Sequence, residues 1–138
     1  MTREEARAAL LRLGEPVAFS RTVDSPPGWI IQRNATVFVY CDQAGLVDSI
    51  EFGTTGYGEE SEDQVLFGDL DLFSTPVTEV LARLRSDGHR IEESESGLSH
   101  TLPDLLLGLW RDGGPEDADG LPRFYESALI AAPGYYDS

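Results

Sequence analysis

Ala6, Leu10 and Leu13 recur at helical spacing behind Thr2, and Glu5 stands three positions after that threonine. The pattern predicts a capped helix over Thr2 to Leu13, closed by Gly14 and packed by its apolar face. A β-like stretch, Val17 to Val23, follows Glu15-Pro16 and is stopped by Asp24-Ser25-Pro26-Pro27-Gly28. The clearest strand signal comes next. Thr36 to Asp42 and Leu46 to Phe52 are joined by Gln43-Ala44-Gly45, which suits a type I turn with Gly45 in the left-handed position. That turn implies a register with Phe38 opposite Ile50 and Tyr40 opposite Asp48, placing both aromatics on the core side with Leu46 and Phe52. Val37, Val39 and Cys41 then fall on a second, half-wet face with Val47, Ser49 and Glu51.

Gly53 to Asp63 is glycine-rich and acidic, and is expected to form a long mobile loop before a short strand at Val65 to Phe67. Val77, Val80, Leu81 and Leu84 make the apolar stripe of a second helix, with Thr75 expected as its cap, Pro76 at the first helical position and Asp87-Gly88 as its stop. Beyond residue 90 the pattern reads as strands: Arg90 to Glu93, Leu102 to Arg111 and Pro122 to Ala132. Asp112 to Gly120 is then the loop of a C-terminal hairpin. The short apolar run Leu105 to Trp110 also suits a helical turn, but its length and Gly108 favour a strand. The expectation is α+β: an antiparallel sheet of about five to seven strands with two helices packed on one face.

The 138 residues suit a single domain spanning 1–138, large enough for one hydrophobic core. Cys41 is the one cysteine, so an internal disulfide, a CxxC pair and a cysteine-rich zinc site are excluded, and a reducing compartment fits. The charged N-terminus lacks the apolar core of a signal peptide, and no apolar run is long enough to cross a bilayer. A cytoplasmic protein without membrane contact is expected. Asn34-Ala35-Thr36 is then a chance match to a glycosylation site.

Charge changes the picture most. Asp and Glu number 25 against 10 basic residues, all arginine, for a net charge of −15. Without lysine there is no P-loop, no Schiff-base lysine and no carboxylate-lysine nuclease site. Codon bias in a high-GC genome is the expected cause of the arginine preference. The net charge repels phosphate backbones and anionic membranes, so no nucleic acid is expected to bind and a charged partner should be basic.

Candidate chemistry is sparse. Asp69-Leu70-Asp71 has DxD spacing for a divalent metal, yet its place between a strand and a helix is equally served by turn and helix-start roles. His89 and His100 belong to no zinc pattern, and Cys41 with His100 and an aspartate makes a nucleophilic triad only if distant segments converge. Ser99 and Ser127 lack a GxSxG context. No metal, cofactor or catalytic residue is expected. Three acidic clusters stand out: Glu59, Glu60, Glu62 and Asp63; Glu92, Glu93 and Glu95; and Glu116, Asp117 and Asp119. Each alone suits a solvated surface, whereas two converging would focus a negative field on a cationic partner. Trp29, Tyr57, Tyr135 and Tyr136 are candidate aromatic anchors. The sites carried forward for binding are Glu59, Glu60, Glu62, Asp63, Glu92, Glu93, Glu95, Tyr135 and Tyr136.

The block Leu109-Trp110-Arg111, the run from Arg123 to Asp137, and the regions Gly45 to Phe52 and Leu66 to Leu84 resemble a family of small uncharacterised proteins of high-GC bacteria, a likeness that brings no activity with it. The overall plan is also similar to immunity proteins that neutralise bacterial toxins. That analogy implies a non-enzymatic acidic domain inhibiting a basic toxin. Two alternatives stand beside it. One is a small hydrolase or ligand-binding protein whose dispersed site draws on Asp69, Asp71, His100 and Cys41. The other is a homodimeric structural or housekeeping module pairing through Phe124 to Ala132 at a sheet edge.

Overall fold

A computed structural model describes residues 1–12, 15–20, 24–32, 35–54 and 65–133. Among them run α1 (Arg3–Leu10), β1 (Val17–Phe19), β2 (Gly28–Gln32), β3 (Ala35–Cys41), β4 (Val47–Thr54), β5 (Leu66–Phe67), β6 (Leu70–Asp71), α2 (Val77–Ser86), β7 (Glu92–Glu93), β8 (Ser99–Leu102), β9 (Leu107–Trp110) and β10 (Ser127–Ala131). The class is α+β, as the hydrophobic pattern implied. Eight strands form one antiparallel sheet in the order β1-β2-β3-β4-β10-β9-β8-β7, and β5 pairs with β6 apart from it. That order is a palindrome. One helix followed by a four-strand meander occurs twice, and the halves meet through β4 and β10. The repeat lies in the order of elements, with no counterpart in the residues themselves.

Strand register sorts the side chains. Val37, Phe52, Ala128, Leu109, His100 and Glu93 stand opposite one another in a single row across six strands. This row lies under the helices. Ala6 and Leu10 of α1 pack on Trp29, Val37 and Val39, while Val77, Val80, Leu81 and Leu84 of α2 pack with Leu102, Leu107, Leu109 and Ala128. Phe52 touches both clusters and makes the core continuous. The next row, Val17, Ile30, Phe38, Glu51, Leu129, Gly108, Thr101 and Glu92, crosses all eight strands on the opposite face.

The N-terminal helix has its capping box: Thr2 Oγ1 accepts from the Glu5 amide, and the Glu5 carboxylate accepts from the Thr2 amide. Leu13 and Gly14 lie outside the described residues. Helix α2 buries its expected stripe, but its N-cap is Pro76 and Thr75 makes no capping hydrogen bond. Instead the Val77 amide donates to the carbonyl of Arg123, so a distant segment satisfies the first turn.

The β3–β4 hairpin differs from its expected register by one residue. Phe38 stands opposite Glu51 and Tyr40 opposite Ser49, with an irregularity between Tyr40 and Cys41. The Asp42 carboxylate accepts from both Ala44 and Leu46 amides, which widens the turn while Gly45 takes φ +80°. A slip of one exchanges the faces. Val37 and Val39 are therefore core, and Phe38 and Tyr40 lie on the opposite side, where they meet Phe19 at ring separations of 5.7 and 5.6 Å.

Two further expectations give way. Gly28 and Trp29 are strand residues of β2, and a side chain at Gly28 would collide with the Val39 carbonyl, so the chain approach requires glycine. Leu102 to Arg111 is not one strand: Leu102 ends β8 and Leu107–Trp110 is β9. Pro103–Leu105 forms a 3-10 turn and Leu106 adopts φ 54°, which reverses the chain between β8 and β9. Most of the expected mobile loop, 55–64, lies outside the described residues.

Candidate functional site

Polar side chains inside the second half of the sheet form a chain. His100 is fully buried, its Nδ1 lies 2.8 Å from the Tyr125 hydroxyl and its Nε2 lies 2.8 Å from Glu93 Oε1. The His100 hydrogen bond holds Glu93 below the ordinary carboxylate range, so Glu93 is ionised and can only accept. The proton of the neutral ring therefore sits on Nε2, and Nδ1 accepts from Tyr125. Burial pushes His100 down against the upward pull of Glu93, and pushes the Tyr125 hydroxyl up. Both ring nitrogens are occupied and the ring meets no solvent, so this histidine organises the core under α2.

Cys41 is remote from it. Strands β4, β10 and β9 stand between β3 and β8, so the two cannot share a nucleophilic site. Cys41 lines a separate depression of about 340 Å³ with Phe19, Tyr40, Asp42 and Asp48, and burial raises its thiol pKa. The DxD aspartates are spent locally. Asp69 pairs with Arg83 at 2.7 Å, and Asp71 accepts from the amides of Phe73 and Ser74. Among the described residues no three His, Cys, Asp or Glu side chains gather to hold a metal.

Arg111, only 5% exposed, builds the surface of interest. Its Nε donates to the carbonyl of Gly97 at 2.9 Å, and its Nη1 donates to the Pro122 carbonyl at 3.1 Å and to Asp117 Oδ2 at 3.3 Å. Asp117 in turn accepts from the amides of Asp119 and Leu121, and these hydrogen bonds hold its carboxyl below the usual range. The guanidinium thus clamps the turn carrying Glu95 to the loop carrying Glu116 and Asp119. Glu95, Glu116 and Asp119 all remain exposed. The turn of one acidic cluster and the loop of another are joined here through Arg111.

Beside the clamp, at the end of β4, β10 and β9, lies a groove of about 500 Å³ lined by Trp110, Arg111, Asp112, Glu126, Leu98 and Thr54, among others. Trp110 is 36% exposed. Glu126 Oε2 is buried and meets no donor among the described residues, and burial, aided by Asp112, raises its carboxyl pKa.

Glu59, Glu60, Glu62, Asp63, Tyr135 and Tyr136, with the Tyr57 anchor, lie outside the described residues. Glu92 and Glu93 alternate across edge strand β7, so they point to opposite faces, and Glu93 is engaged by His100. Trp29 is buried, with Arg3 above its ring and its indole N–H donated to the Arg3 carbonyl. It is a packing residue and not an anchor. Nothing local in the sequence distinguishes Trp110, Asp112 and Glu126 as binding residues from other strand and loop positions. The strand containing Leu129 and Ile130 lies at the centre of the sheet, between β4 and β9, so it offers no edge for dimer pairing.

No helix among the described residues is long and apolar enough to cross a membrane. No family model, curated protein or solved structure matches this chain.

Proposed function

We propose that this chain is a non-enzymatic acidic protein-binding domain, an immunity-type inhibitor of a basic toxin. The observation that carries the reading is the Arg111 clamp, which ties the turn carrying Glu95 to the loop carrying Glu116 and Asp119, all three exposed. A net charge of −15 supplies the long-range attraction, and the clamped loops supply a preorganised contact face. The internal engagement of His100, Asp69 and Asp71 weighs against the hydrolase alternative, since those were its main candidates.

The test is titration against a basic toxin encoded beside this gene. Surface charges act over about 8 Å at physiological ionic strength, so they steer encounter more than they hold the complex. A stoichiometric complex is expected, with an association rate that falls steeply with salt and falls again when Glu95, Glu116 and Asp119 are neutralised together. An association rate indifferent to salt and to those substitutions removes the acidic-face reading.

A further inference from the structure

We infer that the groove between Trp110 and Glu126 is a socket for an arginine side chain of the protein partner, an inference that rests on the binding reading above. Glu126 Oε2 is withdrawn from solvent and accepts from no group among the described residues. A buried acceptor without a donor is costly, and a carboxylate more so, which favours a turn of the Glu126 side chain into the groove it lines when a ligand brings N–H groups there. Arg111 does not fill that role although it lines the groove, because Nε and Nη1 are directed at Gly97, Pro122 and Asp117.

The remaining lining defines the guest. Trp110 offers an exposed indole, which attracts a guanidinium over its face and packs against an apolar stem. Asp112 adds a second carboxylate at the rim. A groove of about 500 Å³ accommodates an extended side chain. A planar guanidinium offers five N–H donors on one cation, matching a carboxylate beside an aromatic ring better than a compact ammonium does. A metal ion is disfavoured, because two carboxylates without a third ligand make a poor site. The surrounding acidic loops select for a basic partner, and the socket would set its orientation.

The probe is the peptide acetyl-Gly-Arg-Gly-amide, with its citrulline counterpart as the uncharged control. Titration into the labelled protein, followed by nuclear magnetic resonance, should shift the Trp110 indole and the Gly53 and Ser127 amides in a saturable way. Affinity on the order of 1 mM is expected for one side chain. Glu126→Gln, which keeps the shape and removes the charge, should weaken binding at least about tenfold, as should citrulline. Its circular dichroism and melting temperature establish that the variant is folded, and Asp112→Asn, an exposed change, gives a second and smaller loss. Shifts absent at saturating peptide, or equal for citrulline or for Glu126→Gln, overturn the socket. Glu126→Gln that leaves a salt-dependent toxin complex at full affinity overturns the socket while sparing the acidic face. Arginine-peptide binding at the groove with no basic protein partner supports the socket as a guanidinium site and overturns the inhibitor reading.

Discussion

The hydroxyl of Tyr125 donates to Nδ1 of His100 at 2.8 Å, and both side chains are wholly buried. The two belong to different parts of the chain, and their rings also meet edge to face at 5.8 Å. Their hydrogen bond ties the segment leading into β10 to strand β8 beneath helix α2. Removing the hydroxyl leaves Nδ1 buried without a donor. Tyr125→Phe should therefore cost about 1–3 kcal/mol in urea unfolding, although it preserves the ring. A cost near zero would mean that the hydrogen bond contributes only geometry.

Acid should weaken the fold earlier than surface carboxylates alone would. Burial holds His100 below its ordinary 6.5, so below about pH 6.5 the unfolded chain takes up a proton there that the native chain refuses. Stability from this group is complete above that pH and is lost as pH falls. Glu93, lowered from 4.5 chiefly by its hydrogen bond from His100, adds stability above its ordinary value that is lost as pH falls through its folded one. Melting temperature should thus decline from about pH 6.5 downward. His100→Leu should flatten the part between pH 6.5 and 5. A wild-type profile level over that range would contradict the buried neutral ring.

Breaking the Arg111 clamp should have a local and a global effect. Arg111→Met leaves Asp117, 15% exposed at its side chain, without its cation and frees the carbonyls of Gly97 and Pro122. Removing one partner of this hydrogen-bonded pair leaves the other charge without its partner, so the denaturation midpoint should fall. Hydrogen exchange of the amides of Asp119 and Leu121, which donate to Asp117, should accelerate more than that of β4. Uniform acceleration would mean that the clamp stabilises the whole domain and does not specifically order the loop.

Helix α2 is the larger contributor to the core. Leu84 is completely buried, so Leu84→Ala should cost about 2–5 kcal/mol, whereas Leu66→Ala, at a position 54% exposed, should change stability by less than about 0.5 kcal/mol. Chemical denaturation of the pair tests the assignment of the helix face. Comparable losses at the two positions would refute it.

Much of the local structure was legible in the residues. The Thr2–Glu5 capping box, the Val77, Val80, Leu81 and Leu84 stripe, the Gly45 turn and the α+β class follow from spacing and turn chemistry, because these interactions form between residues close in sequence. Tertiary structure decided what depends on contacts between distant segments. The hairpin register, and hence whether Val39 or Tyr40 faces the core, was set by the Asp42 turn together with the helices that had to be covered. Placing β10 at the centre of the sheet gave the hydrophobic strand neighbours on both sides, because its apolar residues and backbone groups are satisfied by β4 and β9 together. The candidate site is of this second kind. Arg111, Asp117, Gly97 and Pro122 acquire meaning only when a guanidinium joins them, and Glu126 is an ordinary acidic residue until folding buries one of its oxygens with no donor for it among the described residues.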